Sequence, residues 1–208
     1  MPSSQSAHAP QPTLTSLVLA SSSRYRRAML ERLALPFDTL SPDVDETPQP
    51  GELPAALALR LSIAKARAGA QQRPGSIVIG SDQVATLGEE PIGKPGNFDS
   101  ALAQLRRLSG KIVTFHSALA VTDGHTVLHD DVITECHFRE LDDAEITAYL
   151  LADQPYDTAG SAKAESLGIT LMERMRSDDP TAIIGLPLIA LSRMLRHFGL
   201  SATQGAQA

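Results

Sequence analysis

Two short, unbroken apolar runs, Leu17-Val18-Leu19-Ala20 and Ile77-Val78-Ile79-Gly80, constrain this chain most. Each is too short for a helix and too continuous for a half-exposed strand. Each therefore reads as a strand buried on both faces, the signature of a sheet covered by helices. The serine cluster after the first run caps a helix predicted over 24–34, and Phe37 to Leu40 reads as a second short strand. Gly51 and Pro54 then open a long helix with Leu53, Leu57, Leu61, Ala64 and Ala68 on one face. The helical period returns over 98–108 through Phe98, Leu102, Leu105 and Leu108. Beyond it, 111–122 and 125–139 read as two strands joined by Asp123-Gly124, a strong hairpin signal. A helix over 142–152, a Pro/Gly-containing loop, a strand near 168–174 and a last helix near 182–198 follow. Strands and helices interleaved with one long hairpin predict an α/β fold with a mixed sheet. Residues 1–16 and 200–208 lack periodicity and read as flexible tails around a folded 17–199.

Composition narrows the function classes. With 24 acidic against 18 basic residues the formal net charge is −6, which argues against a nucleic acid polymer as partner. A local basic cluster can still grip a small phosphorylated ligand. No apolar run reaches the roughly 18 residues that span a bilayer, so no membrane role is expected. The start of the chain lacks a signal-peptide pattern. The lone Cys136 excludes an internal disulfide and a Cys-rich zinc site. A soluble, cytoplasmic protein is the expectation.

Four segments interrupt the apolar pattern with polar groups. Ser21-Ser22-Ser23-Arg24-Tyr25-Arg26-Arg27 sits at a strand-to-helix junction, where hydroxyls, free N–H groups and the helix dipole favour an anion. By itself it reads first as an ordinary helix cap with solvated arginines. Asp43, Asp45 and Glu46 cluster in a turn and repel one another unless water or a hard cation such as Mg²⁺ or Mn²⁺ intervenes. Asp82 stands just past the Ile77–Gly80 run, where an ionised carboxylate is costly unless paired, hydrogen-bonded or metal-bound. The carboxyl end of a strand is also where open α/β sheets bind ligands, and Gly80 permits close approach to its backbone. The loop Tyr156–Glu165, with Lys163 and Glu165 among small residues, can close over a ligand. Lys65 and Lys94 lie beside special backbone, although a lone lysine is usually a surface charge.

Together these segments resemble the Maf family of nucleoside triphosphate pyrophosphatases. The matching pieces include LVLASSSRYRRAMLERL, PDVDETP, ALRLSIAKA, IVIGSDQVATL, GKPGNFDSALAQLRRLSGKIVTFHSALAV and AGSAKAESLGITLMERMRSDDPTAIIGLPL. They run in family order across roughly residues 17–198. The resemblance implies an elongated, two-lobed Maf/ITPase-like α/β fold with a central cleft, commonly as a homodimer. It implies cleavage of a nucleoside triphosphate between its α and β phosphorus atoms with a divalent cation. It makes Asp82 the proton acceptor, and Ser21, Ser23, Arg26, Lys65 and Lys94 phosphate-binding positions. Glu46 becomes a metal-proximal carboxylate beside Asp82, whose own role stays open between ligand, base and both. One departure stands out: Arg24 occupies a place where the family usually has Pro. Both are tolerated in a first helical turn, so little change is expected.

Specificity within the family rests on the positions of Tyr25, Gln83 and Glu165. The dTTP/UTP-cleaving branch typically carries Arg, Thr and Gln there, whereas an aromatic, Gln and Glu look like the 7-methyl-GTP branch. N7-methylation makes guanine cationic, so an aromatic face gains a cation–π interaction and a carboxylate complements the charge. Gln83 has a donor and an acceptor to offer the base edge. Tyr25 also falls at helical spacing from Met29 and Leu33, so packing is its plainer role. The rival expectations are a dTTP/UTP pyrophosphatase and a non-enzymatic nucleotide-sensing regulator of septum formation.

Overall fold

The computed structural model describes residues 16–203. The expected tails lie mostly outside that range, and Leu200 is still packed against the core. Among the described residues, β1 (Leu17–Ala20), β2 (Phe37–Leu40), β3 (Ile77–Leu87), β4 (Glu90–Ile92), β5 (Ile112–Thr122), β6 (Val127–Phe138) and β7 (Met172–Ser177) form one mixed sheet. Its order is β2-β1-β3-β5-β6-β7, with β4 paired to β3. β1 lies parallel to both β2 and β3. The hairpin of β5 and β6 is antiparallel to β3, and β7 closes the far edge.

Both faces of the two apolar runs are covered, as their continuity requires. Leu17, Leu19, Ile77 and Ile79 pack with α1 (Arg24–Glu31) and α5 (Leu188–His197) in one core. Val18, Ala20 and Val78 face the other way, toward Ala70 of α2 (Pro54–Gln72). A second core gathers Leu105 and Leu108 of α3 (Phe98–Leu108), Ile146 and Leu150 of α4 (Asp143–Asp153), and Phe115 and Phe138 of the hairpin. Each fully buried Leu, Ile or Phe stabilises its lobe by about 1.5–3 kcal/mol relative to exposure. Phe115 belongs to one core, and Leu119 and Val121 on the same strand to the other. The hairpin therefore ties two lobes together.

The structure corrects several expected elements. Of the stripe expected on α2, only Leu61 is buried, and Leu53 is 60% exposed. The buried face is Ala58, Leu61, Ser62, Lys65, Ala66 and Gly69. Close contact selects it: a Cβ on Gly80 would lie 2.2 Å from the Ser62 carbonyl oxygen, and one on Gly69 would lie 2.7 Å from Val78 Cγ1. α1 ends at Glu31, before the turn in which Ala34 takes φ +53°. The short strand β4 (Glu90–Ile92) carries Pro91 and leaves no periodic signal. Residues 167–171 form a 3-10 turn, and the strand after it is β7, shifted from 168–174. The expected last helix is split by Gly185, at φ +104°, and Pro187 into a 3-10 turn and α5.

The correction that matters most concerns β3. It spans 11 residues, so Asp82 lies within the strand and not past its end. β1 stops at the level of Gly80, and β4 pairs only from Ala85. From Ser81 to Val84, β3 has β5 on one side and no strand on the other. That gap in the sheet is the floor of a cleft.

Candidate active site

The cleft encloses about 590 Å³, within the size range of ordinary small-molecule sites. All the residues expected to serve the site line it. Local structure explains how each arrives there. Ser21 and Ser23 follow the end of β1, and Ser23 caps α1 by accepting a hydrogen bond from the Arg26 amide. Lys65 comes from the buried face of α2, while Asp82 and Gln83 come from the unpaired stretch of β3. Lys94 follows β4, and Glu165 lies on the loop after α4.

Charge pairing organises the inner end. The Lys65 ammonium donates to Asp82 Oδ1 at 2.7 Å and contacts Glu46 Oε1 at 2.7 Å. The Lys65 and Asp82 side chains are only 10% and 14% exposed, so this bond is poorly screened by water. Asp82 Oδ2 makes no hydrogen bond among the described residues. Arg60 holds the segment carrying Glu46: it pairs with Glu52 at 2.6 Å and donates to the Thr47 carbonyl at 3.1 Å.

Arg26 Nε donates to the Gly185 carbonyl at 3.0 Å and Nη1 to Ser21 Oγ at 3.3 Å. Burial lowers its pKa from the usual arginine value, opposed by the charges of Asp82 and Glu46. The remaining guanidinium donors stay available to an anion. Lys94 forms no ion pair among the described residues.

A backbone bracket supports this end, and sequence reasoning missed it. The Gly185 carbonyl also accepts from Ser81 Oγ at 3.0 Å, and Gln83 Nε2 lies 3.1 Å from the Ala182 and Ile183 carbonyls. Gln83 Nε2 also donates to Ser117 Oγ at 2.8 Å. The amide nitrogen expected to read a base edge is thus already engaged, and Oε1 is what Gln83 has left to offer. Buried Asp179 fixes the bracket by accepting from the Thr181 and Ile189 amides. Carbonyl groups carry no residue signature, so only the Gly and Pro of this segment hinted at it.

At the outer end, Tyr25, Arg24 and Asp157 meet. Tyr25 donates to Asp157 at 3.1 Å, and Arg24 pairs with Asp157 at 3.0 Å. Arg24 thus does more than begin a helix: it bridges α1 to the loop of the other lobe. Lys163 points to a structural duty, capping the last carbonyls of α4 at Asp153 and Gln154.

The family model described as Maf-like protein matches residues 16–198. The chain belongs to the Maf family. Among its Maf relatives, a 7-methyl-GTP pyrophosphatase from Bordetella avium is 75% identical over 88% of this chain and 93% of its own length. The protein of the same name from Cupriavidus metallidurans is 58% identical over 90% of this chain and 95% of its own. Among solved structures, a HAM1 protein from Coxiella burnetii aligns with a TM-score of 0.45 at 20% identity, covering 60% of this chain and 73% of that one. No helix among the described residues is long and apolar enough to cross a membrane. Cys136 is buried in β6, and burial pushes its thiol up to about 12, which suits a packing role.

Proposed function

We propose that this Maf protein hydrolyses 7-methyl-GTP to 7-methyl-GMP and pyrophosphate. One observation carries the reading: a single cavity is lined by the cations Arg26, Lys65 and Lys94, by the carboxylates Glu46 and Asp82, and by Tyr25 and Glu165. The names of its close relatives support the same substrate.

The inner end suits a triphosphate. Arg26 and Lys94 neutralise phosphate oxygens, and Lys65 has a third N–H left once Glu46 and Asp82 are served. Ser21 and Ser23 offer hydroxyls beside the start of α1. Asp82 Oδ1 is held by Lys65, which orients the carboxylate so that Oδ2 receives a proton from water. The water oxygen bonds to the α phosphorus, the bond from that phosphorus to the bridging oxygen breaks, and pyrophosphate leaves. Its charge is met by the same arginine and lysines.

The donor set fits a divalent cation of the Mg²⁺ or Mn²⁺ kind, which takes one or two carboxylates and completes its shell with water and substrate phosphate. Glu46 and Asp82 both reach the Lys65 ammonium at 2.7 Å, so the two carboxylates are neighbours, and the oxygens that Lys65 leaves free would hold it. No group of three His, Cys, Asp or Glu able to hold a metal occurs among the described residues, so the phosphates would supply the other ligands. When bound, such a cation neutralises phosphate oxygens and so favours attack on phosphorus. Tyr25 offers a ring face to the cationic base, and Glu165 a carboxylate to its N1–H and exocyclic amine. A substrate drawn from the nucleotide pool suits a cytoplasmic enzyme.

Product analysis tests the reading. Incubation of 7-methyl-GTP with enzyme and Mg²⁺ or Mn²⁺ should release pyrophosphate and the monophosphate. Release of orthophosphate, or nucleotide binding with no turnover, would contradict it, the latter in favour of a sensor.

A further inference from the structure

The outer end of the cleft already holds a cation, and the protein supplies it. The Arg24 guanidinium lies over the Tyr25 ring, 4.8 Å from its centroid. It donates to Tyr25 Oη at 2.8 Å and to Asp157 Oδ2 at 3.0 Å, while the Tyr25 hydroxyl donates to the same carboxylate. Partial burial pulls the Asp157 carboxyl up, but the Tyr25 hydrogen bond and the Arg24 charge win and hold it below the usual range. Arg24, Tyr25, Asp157 and Glu165 all border the one cavity.

A guanidinium is flat, cationic and rimmed with N–H donors. A guanine methylated at N7 has the same three properties, with its N1–H and exocyclic amine as the rim. An aromatic face plus a carboxylate that accepts one such group suits the other. We propose that Asp157 is a base-recognition carboxylate and that Arg24 keeps its place until the cationic base displaces the guanidinium. This rests on the 7-methyl-GTP reading. Displacement is cheap, because the Arg24 and Asp157 side chains are 72% and 48% exposed and such pairs contribute little. A neutral guanine gains too little to displace Arg24 and leaves the guanidinium in place, so the device discriminates between methylated and unmethylated substrate.

The test measures kcat and KM for 7-methyl-GTP and GTP in the unmodified protein and in Arg24→Met and Asp157→Asn variants. Arg24→Met should lower KM for 7-methyl-GTP about two- to fivefold, the range set by an exposed ion pair, with kcat unchanged and little effect on GTP. Asp157→Asn should raise KM for 7-methyl-GTP by a similar factor and narrow its advantage over GTP. Equal shifts for both nucleotides, or a preference untouched in both variants, would overturn the proposal alone. An unmodified protein with no preference for 7-methyl-GTP over GTP would overturn the substrate reading and this proposal with it.

Discussion

The two ends of the cleft use the same bond in different settings. At the inner end Lys65 meets Asp82 at 2.7 Å, and at the outer end Arg24 meets Asp157 at 3.0 Å. Distance barely separates them; exposure does. The inner pair is 10% and 14% exposed, the outer 72% and 48%. Screened by water, an exposed pair contributes about 0–1 kcal/mol, while breaking a buried one costs several because a charge is left unpaired. The inner end is therefore fixed before substrate arrives, as chemistry requires, and the outer end is exchangeable, as recognition requires.

The comparison breaks most visibly at Asp82. An Asp82→Asn variant keeps the hydrogen-bond partner but cannot accept a proton, so kcat should fall about a thousandfold, inside the range for a positioned general base. Pyrophosphate release measures it, and unchanged turnover would remove Asp82 from its role. Lys65→Met leaves Asp82 and Glu46 facing each other unpaired, and should cost about 2–4 kcal/mol in urea unfolding as well as activity. Gly80→Ala forces a methyl into the Ser62 carbonyl 2.2 Å away and should cost about 1–3 kcal/mol by pushing α2 off β3. Arg24→Met, by contrast, should change stability by less than about 0.5 kcal/mol. If it cost as much as Lys65→Met, the distinction between the two ends would fail.

A smaller effect sharpens the inner end. Arg60 holds the Glu52 carboxyl down to about 2, against an ordinary value of 4.5, with a further hydrogen bond from the Gln49 amide. A depressed folded pKa gives stability that is complete above 4.5 and lost as pH falls from there toward 2. Over that window the segment carrying Glu46 should loosen, seen as lower amide protection at Thr47, Gln49 and Glu52 relative to intrinsic exchange at each pH.

The strands and helices of the fold were legible wherever one period ran unbroken, as in the hairpin and α3. β3 was cut short because its own polar residues, Ser81, Asp82 and Gln83, interrupt the apolar run; the residues that build the cleft floor hid the strand that carries them. On α2 the largest apolar residues were misleading, since contact with Gly80 requires small ones. The site residues were found as breaks of the apolar pattern and by the likeness to Maf proteins. Their grouping was not visible, because Lys65 reads as an ordinary surface charge until the fold sets it against Asp82. The Arg24–Asp157 pair joins residues 133 apart in sequence, and nothing local to either points to the other.

The central claim is that the inner end cleaves what the outer end selects by charge on the base. Its most direct test is kcat/KM for 7-methyl-GTP, GTP, dTTP and UTP in one series with pyrophosphate detected. The account predicts 7-methyl-GTP first, with GTP well below it. Cleavage of dTTP and UTP far ahead of 7-methyl-GTP would contradict it.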